Sequence, residues 1–156
     1  MSDTESVTLT ITQLTDYEFN VRFDDTPAPD LLTDESPPIG HNAGPSPSRL
    51  LGAAIGNCLG SSLLFALRKY KNTQDHIASR VRVDIVRNAQ GRLRIGRIGA
   101  EIRLPQAAGA YTQIERLLAQ FEDFCTITES VRAGVPVDVS VSDATGVVLH
   151  TSAGAA

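Results

Sequence analysis

The amino-acid sequence predicts an α+β domain, with antiparallel strand pairs set around two helices. Two observations carry that prediction. Apolar and polar residues alternate in paired runs near the start, middle and end of the chain, and two stretches, after Pro47 and after Tyr111, repeat apolar residues at helical spacing. The order is strand, strand, long loop, helix, strand, strand, helix, strand, strand, which lacks the one-for-one alternation of a doubly wound parallel sheet.

The runs VTLTITQL and YEFNVRFD flank Thr15 and Asp16 and read as a hairpin. From Asp25 to Pro47 the chain holds six of its eight prolines, so this stretch is a long irregular connection, with small apolar pieces around Leu31 and Ile39 that favour packing down. At its end Ser46 is placed to cap a helix with Pro47 in the first helical position.

That helix is expected to run to about Lys71. Leu51, Ala54, Ile55, Cys58, Ser62 and Phe65 form an apolar stripe on it, which puts Cys58 towards the core. Gly52, Ala53, Gly56, Gly60 and Ser61 keep the other faces small. Glycine inside a helix costs roughly 1 kcal/mol relative to alanine, so close approach of another backbone is expected to offset it.

SRVRVDIVR and GRLRIGRIGAEIRLP, joined by NAQG, give a second hairpin with one apolar and one basic face, carrying Arg80, Arg82, Arg87, Arg92, Arg94, Arg97 and Arg103. A nucleic-acid ribbon and a solvated sheet face both fit. The solvated face is favoured, because the hairpin has no aromatic side chain for bases to stack on. A second helix follows from Tyr111, Ile114, Leu117, Leu118 and Phe121, its phase continuing through Cys125 to Thr128, with Gly134 as the stop. Valines at 135, 137, 139 and 141 then mark a strand, a turn and a last short strand. The organisation read is one domain over residues 1–150, followed by a frayed tail over residues 151–156.

At 156 residues a core can form without disulfides or metal. The N-terminus has neither a basic n-region nor an apolar h-region, and no run is expected to reach the apolar length of a membrane span, so the reading is a soluble cytoplasmic protein. Two cysteines are then thiols or a transient redox pair. With 18 acidic and 14 basic side chains, neither nucleic acid nor membrane is an expected partner. His41, His76 and His150 have no ligand spacing with the cysteines or one another, so no metal or other cofactor is expected. His41, in the long loop, is read as solvated.

The segment LLTDESPPIGHNAGPSPSRLLGAAIGNCLGSSL, the basic-apolar hairpin after it, and FCTITESVRAGVPVDVSV together resemble the OsmC/Ohr family, the osmotically inducible and organic-hydroperoxide-resistance proteins. The resemblance runs from about residue 7 to residue 142. Its most specific part is a Gly-Pro-x-Pro start followed, eleven residues after the second proline, by a cysteine in a small-residue helix. It implies an intertwined homodimer with the helices sandwiched between sheets. It also implies a peroxidase whose first cysteine, here Cys58, attacks an organic hydroperoxide, and whose second, here Cys125, resolves the sulfenic acid as a disulfide. A dithiol such as a lipoyl group then reduces that disulfide.

A thiolate nucleophile in apolar surroundings needs a cation or several donors nearby. Hydroperoxide-reducing members supply an arginine held by a glutamate at the helix start, where this chain has Ser48 and Arg49. Arg49, roughly 14 Å from Cys58 along a straight helix, and Arg22, on the second strand, are the candidates for the cation. Asn57 and Ser61 are weaker donors, and Glu129 is placed to anchor an arginine. Leu51, Ile55, Phe65 and Phe124 are expected to shape a pocket for an apolar substrate. The alternative reading is a dimeric binding or thiol-handling protein of the same fold without peroxidase activity.

Overall fold

The computed structural model describes residues 4–72 and 76–155. Residues 1–3 of the N-terminal stretch and residue 156 of the expected tail lie outside the described residues. Two compact units are present, Met1–Leu50 and Leu51–Ala156.

The first unit is a three-stranded antiparallel sheet of β1 (Leu9–Thr15), β2 (Glu18–Phe23) and β3 (Leu31–Thr33), in that order. The hairpin is as the alternation predicts. The short β3 was expected to be loop; three residues are too few to establish a period. Beyond β3 the chain is organised by one carboxylate. Asp34 is buried and accepts the backbone N–H groups of Glu35, His41 and Ala43 at 2.7, 2.8 and 3.0 Å. The N–H groups of Ala43 and His41 are the chief reason its pKa is lowered. A proline-rich loop cannot pair its backbone in a ladder, and this carboxylate satisfies part of it instead.

Helix α1 (Pro47–Lys69) leads into the second unit. Its buried face is Gly52, Ile55, Gly56, Leu59, Ser62, Leu63, Ala66 and Leu67, whereas Ala54 and Phe65 are exposed and Cys58 is half-buried. The stripe centred on Cys58 is thus corrected by a rotation that puts the glycines inward. Side chains of β4 (Ala78–Arg87), not another backbone, fill the space against them. A Cβ on Gly52 would stand 2.9 Å from Val83 Cγ2, and one on Gly56 only 2.6 Å from Val81 Cγ2. α1 is also long and apolar enough, by length and composition, to cross a membrane, which corrects the expectation that no run is. Its leucines meet the core: Leu59, Leu63 and Leu67 have no exposed surface.

The sheet of this unit runs β4, β5 (Leu93–Arg103), β6 (Val137–Ser142), β7 (Val148–Ser152). The β4–β5 and β6–β7 pairs are antiparallel, but β5 and β6 are parallel. The α+β class holds, while the purely antiparallel pairing does not. The helical segment after β5 carries the chain back to the start of the neighbouring strand, as a parallel pair requires. Val137, Val139 and Val141 of β6 face the core, with Ile98, Ala100 and Ile102 of β5 beside them.

The second helix is broken into α2 (Ile114–Leu118), a 3₁₀ turn (Phe121–Phe124) and α3 (Thr126–Arg132). Cys125 stands between the last two in an extended conformation, φ −84° and ψ 93°. Contacts of Glu122 with Arg132, His150 and Ser152 hold the turn in place. The chain end also differs from expectation. β7 runs to Ser152, and the Gly154 N–H donates to Asp138 at 2.8 Å, so residues 151–154 are built into the structure.

On the basic hairpin Arg82 pairs with Asp84 and Arg97 with Asp138, while Arg87, Arg94 and Arg103 donate to backbone carbonyls. Their geometry is that of an ordinary sheet face satisfied within its own chain.

If the glycine face sets the α1–β4 spacing, Gly56→Ala lowers stability by about 1 kcal/mol, because overpacking outweighs the better helix propensity. Gly60→Ala, whose Cβ would meet only Ser79 Oγ at 4.0 Å, raises it by roughly 0.5–1 kcal/mol. Urea unfolding of the two variants checks the order. A second test uses Asp143, which accepts Thr145 Oγ1 at 2.7 Å and the N–H groups of Ala108, Thr145 and Val147. The Thr145 hydroxyl first, then these N–H groups, lower its pKa to about 2. A depressed carboxyl stabilises the fold above its ordinary pKa and loses that contribution as pH falls through the folded value. Asp143→Asn is therefore expected to lower the melting temperature at neutral pH, with the gap to wild type narrowing towards pH 2.

Candidate active site

The two cysteines lie on different elements and meet. Cys58 is in the middle of α1, half-buried; Cys125 is fully buried where the 3₁₀ turn gives way to α3. The Cys58 thiol is near enough to that of Cys125 to raise its pKa. The Cys125 thiol donates to Thr128 Oγ1 at 3.0 Å, and Thr128, in the first turn of α3, has no exposed surface. Burial pushes the Cys125 pKa up, the neighbouring Cys58 pushes it further, and the Thr128 hydroxyl and backbone N–H oppose both without cancelling them. At neutral pH Cys125 is a neutral thiol facing a more accessible one.

What holds Cys125 there is a buried charge cluster one turn earlier. Glu122 accepts Arg132 Nη2 and meets His150 Nε2, each at 2.5 Å, and accepts Ser152 Oγ at 2.8 Å. Burial would raise the Glu122 pKa, but the hydrogen bonds from Arg132, His150 and Ser152 outweigh it and the carboxyl stays below its usual range. Arg132 also pairs with Glu129, so Glu129 does anchor an arginine. The His150 ring meets Phe121 edge-on, with centroids 5.5 Å apart. The 3₁₀ turn is thereby tied to α3 on one side and to β7 on the other. Glu122 and His150 lie 28 residues apart, and no local spacing points to their pairing.

The other expected site residues divide. Phe65 and Phe124 line one cleft of about 140 Å³, together with Tyr70, Leu117 and Phe121, and Lys69 is its one charged lining side chain. Leu51 and Ile55 do not line it: Ile55 is fully buried and Leu51 packs against the core. Asn57 and Ser61 are engaged with each other, the Ser61 hydroxyl donating to Asn57 Oδ1 at 3.3 Å. In the first unit, Arg22 pairs with Asp24 at 2.9 Å and Arg49 donates to Ser36 Oγ at 3.1 Å. His41 is exposed, as expected of a loop residue. Its ring, Glu18 and Asp34 bring ligand-type atoms within 4.8 Å of one another, a cluster that histidine and cysteine spacing does not reveal. Asp34 in that cluster already serves three backbone N–H groups.

Comparison with known proteins places this arrangement in a family. The model of the family described as OsmC-like protein matches residues 40–140. No curated protein sequence matches the chain. Among solved structures, an OsmC-like protein of unknown function from Vibrio cholerae superposes with a TM-score of 0.74 at 16% identity, covering 90% of this chain and 99% of that one. An organic hydroperoxide resistance protein from Elizabethkingia anophelis gives 0.68 at 19% identity, covering 92% and 99%. The organic hydroperoxide resistance protein OhrB of Bacillus subtilis gives 0.62 at 18% identity, covering 89% and 98%. At these identities the likeness is one of fold. The matched family model covers both cysteines and the elements that present them, and the chain belongs to the OsmC-like family.

Proposed function

We propose that the protein is a thiol-dependent peroxidase that reduces organic hydroperoxides, with Cys58 as the nucleophile and Cys125 as the resolving thiol. The observation that carries this reading is the nearness of a half-exposed thiol to a fully buried one. A peroxide can approach Cys58, while Cys125 is sheltered from it. Cys125 stays a protonated thiol at neutral pH, because burial and the neighbouring Cys58 raise its pKa.

The Cys58 thiolate attacks the outer peroxide oxygen. The O–O bond breaks, the alkoxide leaves as alcohol after taking a proton, and Cys58 becomes a sulfenic acid. Cys125 then attacks the Cys58 sulfur, water leaves, and a disulfide forms. A dithiol, for which a lipoyl group is the proposed physiological form, returns the pair to thiols and is itself oxidised to a disulfide. The apolar cleft at Phe65 and Phe124 begins two helical turns from Cys58 on α1 and directly beside Cys125 in sequence, which suits a substrate with an apolar body. No cofactor enters this cycle.

A homodimer forms part of the proposal. Phe65 and Phe124 are each 63% exposed and Ile127 is 38% exposed, all close in sequence or helical turn to the cysteines, and a second copy of the chain would cover them. The alternative, a dimeric binding or thiol-handling protein, is favoured by one observation: Arg22 and Arg49 are occupied by Asp24 and Ser36. Under the peroxidase reading one of them is expected to leave its neighbour and act as thiolate-stabilising cation.

With cumene hydroperoxide and dithiothreitol, wild-type turnover is expected to exceed that with hydrogen peroxide, and Cys58→Ser to fall to the buffer rate. Cys125→Ser should form the sulfenic acid, captured on Cys58 as a dimedone adduct by mass spectrometry, without a disulfide. Equal and negligible turnover in wild type and Cys58→Ser would leave the alternative standing. Light scattering at micromolar concentration is expected to give twice the chain mass of 16.7 kDa.

A further inference from the structure

The peroxidase reading gives Thr128 no role, yet Thr128 is the polar group best placed on the sulfur of Cys125. Its hydroxyl lies 3.0 Å from that sulfur and is shielded from water. A hydroxyl can accept from a thiol or donate to a thiolate, so the contact serves either protonation state. α3 is held in place by Arg132, bonded to Glu122 and Glu129. The hydroxyl therefore keeps its position when the sulfur changes its bonding.

This matters most when the disulfide is reduced. The rate of thiol–disulfide exchange depends on which sulfur can be reached and on how well the leaving sulfur carries negative charge. Cys125 is fully buried and Cys58 is not. Cys125 would also be a poor leaving group without help, because burial disfavours its thiolate.

Resting on the peroxidase reading, we propose that Thr128 is a catalytic residue of the reductive half-reaction: its hydroxyl receives the Cys125 sulfur as it leaves the disulfide as a thiolate, so that the reducing thiol enters on Cys58. A thiolate of the reducing dithiol attacks Cys58 Sγ. The mixed disulfide forms as the Cys58–Cys125 bond breaks, and the electron pair departs on Cys125. The second thiol of the reductant then displaces Cys58, leaving a cyclic disulfide on the reductant and two reduced cysteines, the protons coming from the reductant.

The test starts from a disulfide made with diamide, so it does not depend on peroxide reactivity. Wild-type protein quenched with acid during reaction with 2-mercaptoethanol is expected to carry the adduct on Cys58 in peptide mass mapping. Reduction by dithiothreitol at neutral pH should be about tenfold slower in Thr128→Val and within about twofold of wild type in Thr128→Ser. Thr128→Ala should be slowed like valine and replaces it if valine does not fold. An adduct on Cys125, a wild-type rate in Thr128→Val, an equal slowing in Thr128→Ser, or failure of diamide to form the disulfide in wild type would each overturn the proposal. A protein that behaves as expected here but ignores hydroperoxides would overturn the peroxidase reading alone.

Discussion

The close approach of α1 to β4 is the constraint from which most of the second unit follows. Gly52 and Gly56 offer no side chain where Val81 and Val83 press in, so helix and sheet meet at a spacing that any Cβ would enlarge. That contact fixes the rotation of α1 about its axis. With the glycines inward, Leu59, Leu63 and Leu67 enter the core, and Cys58 falls on the flank. Its half-exposure is thus a by-product of helix phase.

The second cysteine is positioned by a different kind of force. Buried charge is costly to dehydrate unless each atom is matched, and the Glu122 carboxylate is matched by Arg132, His150 and Ser152. The cluster draws on the 3₁₀ turn, α3 and β7. Shape complementarity places one thiol and electrostatic complementarity the other, and the two meet where neither element alone would specify a site.

Much of this was legible in the residues. The alternating runs gave both antiparallel pairs of the larger sheet and the N-terminal hairpin, and the Gly-Pro-x-Pro start with its cysteine pointed to the family. The helix phase was misjudged because Leu51, Cys58 and Phe65 are as apolar as the stripe that is buried; only the partner strand distinguishes the faces. The parallel β5–β6 pair was hidden because Val137, Val139 and Val141 alternate alike in either direction. The break at Cys125 escaped because the helical phase of Tyr111 to Phe121 extrapolates smoothly through it. Glu122, Arg132 and His150 carry no signal of pairing in the sequence; residues far apart in the chain acquire a common environment only when the sheet is assembled.

The apolar length of α1 has a consequence during synthesis. The helix is made before β4, β5 and β6, the strands whose side chains share its core. Until those strands leave the ribosome, a segment that could pass for a membrane span has no cover of its own, and nascent chains with exposed apolar surface are prone to aggregate. The glycines that let the finished helix lie so close to its sheet serve the nascent chain in another way: they weaken an isolated helix, so that α1 is completed by the arrival of its partner strands and not ahead of it.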